Sequence, residues 1–84
     1  MTLPTEPVTL TAAQVEELNR QLATLRHDIN NHLSLVMAAI ELIRAKPQTL
    51  ERMMGTLTDQ PPKIGEAVAK FSTVFDKTFG IVRQ

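Results

Sequence analysis

Between Pro7 and Pro47 the chain has neither proline nor glycine. Across that stretch Val15, Leu18, Leu22, Leu25, Ile29, Leu33, Val36, Ile40 and Ile43 recur at spacings of three and four. Such spacing puts all of them on one side of an α-helix. The start of the pattern is equally well marked. Thr11 with Gln14 three residues on fits a capping box, and Leu10 and Val15 fall at the N′ and N4 positions of a hydrophobic staple. The pattern predicts a helix beginning at Ala12, about 34 residues and roughly 50 Å long at 1.5 Å per residue. A helix of that length carrying one unbroken apolar stripe is a bundle or coiled-coil element, because a stripe that long needs another to cover it.

The remainder of the chain supplies a second stripe. Residues 45–47 form the turn, and Pro47 suits the first position of the next helix, where its missing N–H has no partner to lose. Leu50, Leu57, Ile64 and Phe71 are then spaced by seven, as are Met54, Pro61, Val68, Phe75 and Val82. The register survives Pro61 and Pro62, so the prediction is one helix kinked there, or two coaxial ones, with a local break near residues 59–62. Gly80 is the expected stop, and residues 81–84 are expected to fray. The expectation is an all-α fold: residues 1–10 as a flexible arm, then residues 11–84 as a long antiparallel helical hairpin. A two-helix layer leaves half of each stripe bare, so the hairpin is expected to form a homodimer, closing into a four-helix bundle. Composition agrees, since the 43% hydrophobic content includes only three aromatics, all Phe, which is the make-up of helix seams rather than of a β-sandwich.

Charge and cysteine content narrow the function. Nine basic and nine acidic residues cancel, which leaves no electrostatic footprint for nucleic acid and points to protein partners. With no cysteine there is neither a disulfide framework nor a thiolate metal site. The longest apolar run, residues 33–40, includes Ser34 and is far below the roughly 20 residues that span a bilayer. Residues 1–10 have no basic region and are interrupted by Pro4 and Pro7, so a secretory signal is not expected. A cytoplasmic protein without membrane segment, cofactor or metal is the expectation.

The chemistry is concentrated in residues 26–31, Arg-His-Asp-Ile-Asn-Asn. At about 100° per residue His27 lies roughly 160 to 180° from the mean direction of the apolar stripe, so it should face solvent, where an imidazole can act as a nucleophile. Asp28 is about 100° further round, and Asn31 lies one turn on, on the His27 side. A carboxylate beside a histidine can hold one ring proton, and an amide one turn away can orient water or a phosphoryl oxygen. Most exposed histidines are only solvated side chains, and geometry permits a role here without compelling one. His32 sits at the edge of the stripe, about 140° from His27; it is expected to be a partly buried packing or interhelical hydrogen-bonding residue. That separation also argues against the two histidines sharing a metal. Met37, Met53 and Met54 are most simply packing residues.

The run Leu25-Arg26-His27-Asp28-Ile29-Asn30-Asn31-His32-Leu33, followed by an apolar helix, a short turn and a second helix, resembles the H-box of the dimerisation and histidine-phosphotransfer domains of sensor histidine kinases. It is especially similar to the His-Asp-x-x-Asn variants and to sporulation phosphotransferases. The resemblance covers roughly residues 12–80, although its diagnostic part is about six residues long. It implies that His27 accepts or relays a phosphoryl group, that Asp28 is its acid/base partner, and that Asn31 assists dephosphorylation of the partner protein. It also implies a homodimeric four-helix bundle that docks an aspartate-bearing response-regulator receiver. Two adjacent prolines in the second helix are a heavier interruption than that family usually carries. Gly55, Gly65 and Gly80 are too scattered to build a phosphate cradle, and no acidic magnesium motif accompanies them. ATP-dependent self-phosphorylation is therefore not expected of these residues, and a separate histidine-kinase ATP-binding domain becomes a second possible partner. The competing readings are a structural dimerisation module or adaptor, and a kinase inhibitor that keeps the bundle without exchanging phosphate.

Overall fold

The computed structural model describes residues 1–83, so Gln84, the last residue of the expected hairpin domain, lies outside the described residues. Two helices, α1 (Ala12–Ala45) and α2 (Leu50–Phe79), pack as a hairpin; a 3₁₀ turn, Pro47–Thr49, joins them. The α1 start is the capping box that the sequence predicts: the Thr11 hydroxyl accepts from the Gln14 N–H at 3.1 Å, and the Thr11 N–H donates to Gln14 Oε1 at 2.8 Å. Two of the four unpaired N–H groups of a helix start are satisfied in this way. At the turn, Pro47 opens the 3₁₀ segment, and the half-turn is closed by Thr49, whose N–H and hydroxyl both donate to the Lys46 carbonyl at 2.9 and 2.7 Å.

Helix α2 runs as a single element through Pro61 and Pro62. Its end is set by Gly80 in the left-handed region (φ 66°), where a side chain would be strained, and the Gly80 N–H returns to the Asp76 carbonyl. Residues 81–84 are expected to fray, but the described ones among them, 81–83, are pinned. Ile81 N–H also donates to Asp76 O at 2.8 Å, Thr2 and Val82 exchange backbone hydrogen bonds of 2.6 and 3.0 Å, and Arg83 Nε donates to Asp76 Oδ2 at 2.6 Å. The hydrogen bond to Asp76, and then its charge, hold the Arg83 guanidinium above its ordinary pKa.

The hairpin is a slab of 58 × 28 × 12 Å, one helix thick in its shortest dimension. Its radius of gyration is 18.1 Å, against about 12 Å for a compact chain of this length. Among the described residues the only buried apolar side chain is Ala39, at 3% exposure. The half-buried residues of α1 centre on the direction of Ala39 and His32, which is where α2 lies. Its exposed apolar residues Val15, Leu33, Met37 and Ile40 lie about 110° round from that direction. On α2 the exposed Leu50, Met54 and Val68 lie about 80 to 120° round from the buried Gln60 direction, in the same rotational sense. Because the helices are antiparallel, equal senses bring both apolar flanks onto the same broad face. Leu35 is the exception on α1, 42% exposed on the other flank.

Candidate functional site

The other broad face is polar, and all three sequence-predicted site residues belong to α1 at that level. His27 and Asn31 are exposed. Measured round the helix from the α2 direction, His27 is turned about 130° and Asn31 about 90°, both away from the apolar face. They share one side, a turn apart. Asp28 is only half-exposed and turned about 30° from α2, so it faces the second helix rather than the solvent around His27. No hydrogen bond joins Asp28 to His27 among the described residues.

Asp28 is grouped instead with His32, one turn further along α1, in an open cleft of about 350 Å³ whose opposite wall is Lys63, Glu66, Ala67 and Lys70 of α2. Two carboxylates, two ammonium groups and an imidazole therefore line one groove, nearly balanced in charge. His32 is half-buried and makes an interhelical hydrogen bond, its Nδ1 lying 2.7 Å from Oε1 of Gln60. This is the packing and hydrogen-bonding role its position at the stripe edge predicts. Gln60 is 4% exposed, and its Nε2 donates to the Thr56 carbonyl at 3.3 Å. Periodicity alone does not single out Gln60, because a glutamine between apolar positions reads as a surface residue until its partner on the other helix is known. Lys63 and Lys70 lie seven apart and so share one face of α2, but only the hairpin register shows that this face meets Asp28.

Among the described residues no three carboxylate, histidine or cysteine side chains are placed to hold a metal ion, and no helix is long and apolar enough to cross a membrane. Comparison with protein-family models, curated proteins and solved structures finds no match.

Proposed function

We propose that two copies of this hairpin pair through their apolar faces as a four-helix bundle of two-component signalling, which exchanges a phosphoryl group between His27 and an aspartate of a response-regulator receiver. The observation that carries this reading is the exposure of His27 on the side of the slab away from the unpartnered apolar face. In a bundle, α1 has α2 on one flank and the second copy on the other. The bundle axis then lies midway, and His27 points roughly 170° away from it. A nucleophile needs that outward position to meet a second protein.

Surface area supports the dimer. The chain exposes 6449 Å², whereas a folded monomer of its mass exposes roughly 5,000 Å². The excess exceeds the ~800 Å² that each partner of a standard interface buries. Two prolines also remove the amide donors that would bond the Leu57 and Thr58 carbonyls, which supports a local kink in α2. The chain's cysteine-free composition fits a cytoplasmic location.

In the exchange, a lone pair of the neutral His27 ring attacks the phosphorus of the receiver's aspartyl phosphate, and the P–O bond breaks with its electron pair going to the carboxylate. The other ring nitrogen keeps its proton. By the H-box resemblance Asp28 steadies that proton, and Asn31 aids loss of phosphate from the receiver. A separate histidine-kinase ATP-binding domain is the other candidate source of phosphate.

A second reading, an adaptor or kinase inhibitor that keeps the bundle, is favoured by one observation: Asp28 faces the cleft with His32 rather than His27. One experiment separates the two. The full chain is incubated with receivers charged by acetyl phosphate, or with a histidine kinase's ATP-binding domain and ATP. Exchange predicts acid-labile, alkali-stable phosphate that is lost in His27→Ala and kept in His32→Ala, and no label from ATP alone. A receiver that binds wild type and His27→Ala equally, with no label on either, establishes the adaptor reading instead.

A further inference from the structure

Gln60 is the most buried polar residue of the hairpin, and it stands immediately before the two prolines of α2. Its amide can be oriented in only one way. Nε2 faces the Thr56 carbonyl, which is solely an acceptor, so Oε1 must be the atom presented to His32. An amide oxygen can only accept, hence His32 Nδ1 carries the proton and donates it. In the neutral ring this leaves Nε2 as a lone-pair nitrogen, with no hydrogen bond to any described residue. The other charged groups lining the cleft with His32 are Asp28 from α1 and Lys63, Glu66 and Lys70 from α2.

This bond spans the helices at the point where α2 is least able to hold itself. Downstream of the prolines, residues 63–79 are tied to the first part of α2 by a helix lacking two consecutive amide donors. Their contacts with α1 are side chains that can slip by a turn at little cost, because apolar contact is non-directional. A hydrogen bond of 2.7 Å does not tolerate such a slip, and a single buried polar pair is the means by which helical assemblies fix register.

We propose that His32 and Gln60 form a latch at a proline hinge: their bond holds residues 63–79 against α1 and so sets the width of the cleft between Asp28 and Lys63, Glu66 and Lys70. The latch belongs to the fold and stands whether or not His27 carries phosphate.

Nitrogen NMR of the full-length wild type, at a pH where His32 is neutral, tests the bond directly. Nδ1 should resonate as the protonated nitrogen and Nε2 as the bare one; the opposite tautomer, or a rapid average of both, overturns the latch. Hydrogen exchange then tests the hinge. In His32→Leu and in Gln60→Leu, amides of residues 63–70 should exchange roughly three- to tenfold faster, while those of residues 50–55 keep their rates. No change in either variant, or acceleration spread evenly over both helices, overturns the proposal. Should a variant fail to fold, the wild-type tautomer still decides.

Discussion

The two broad faces of the slab are built from the same two helices yet follow different rules. The apolar face is assembled from positions that repeat with the helix, Val15, Leu33 and Ile40 on α1 and Leu50, Met54 and Val68 on α2, and nothing in the hairpin covers it. The polar face carries His27, Asn31 and a cleft whose members come from both helices and are brought together only by the hairpin register. A repeating face makes an assembly surface because each residue adds a similar increment of burial. The polar face depends on particular atoms, such as the pairing of His32 with Gln60, and is therefore sensitive to single changes there.

The largest expected contrast comes from placing the same charge on each face. Ile40→Glu puts a carboxylate in the middle of the proposed dimer surface, and should convert the dimer to a monomer at micromolar concentration in sedimentation equilibrium. Ser34→Glu, exposed on the polar face, should leave the dimer intact. A wild type that sediments as a fully helical monomer removes the dimer altogether.

Asp28→Asn asks which histidine the carboxylate serves. If it is the proton partner of His27, transfer from a charged receiver should slow on the order of 10² to 10⁴. If its place is in the cleft beside His32, the transfer rate should change less than tenfold, and the His32 nitrogen shifts should move instead. Phe71→Ala probes the seam between the faces. Its ring is half-buried and lies 6.1 Å from that of Phe75, so truncation should cost about 2 to 5 kcal/mol in denaturant unfolding. A loss below about 0.5 kcal/mol contradicts the seam assignment.

The apolar face and the helices beneath it were legible in the sequence because their signals are local. The spacing of three and four, the Thr11–Gln14 box, Pro47 at the turn and Gly80 at the stop each act within a few residues. The exposure of His27 and the half-burial of His32 follow from the same angular arithmetic. The cleft was not legible, since it depends on which residue of α2 lies opposite which residue of α1, and an apolar stripe leaves that register nearly degenerate. The Thr2–Val82 pairing escaped for the same reason: two backbone hydrogen bonds between the chain's ends leave no trace in side-chain pattern.

The smallest expected effect lies at the prolines, where the faces are joined by the weakest stretch of α2. Pro61 and Pro62 have no amide hydrogen, so the Leu57 and Thr58 carbonyls lose their usual i+4 donors, and the pyrrolidine rings crowd them. Thr58 compounds this with a hydroxyl that donates to the Met54 carbonyl at 2.8 Å, a bond that tends to bend a helix. Opposing it, Gln60 ties the same turn to Thr56 and to α1. The balance predicts local opening and no global loss of the helix. Amides of residues 56–60 in the wild type should exchange faster than those of residues 68–75, where Phe71 and Phe75 are half-buried and no donor is missing. Equal protection of the two segments would mean that the prolines do not weaken α2, and the hinge would lose its physical basis.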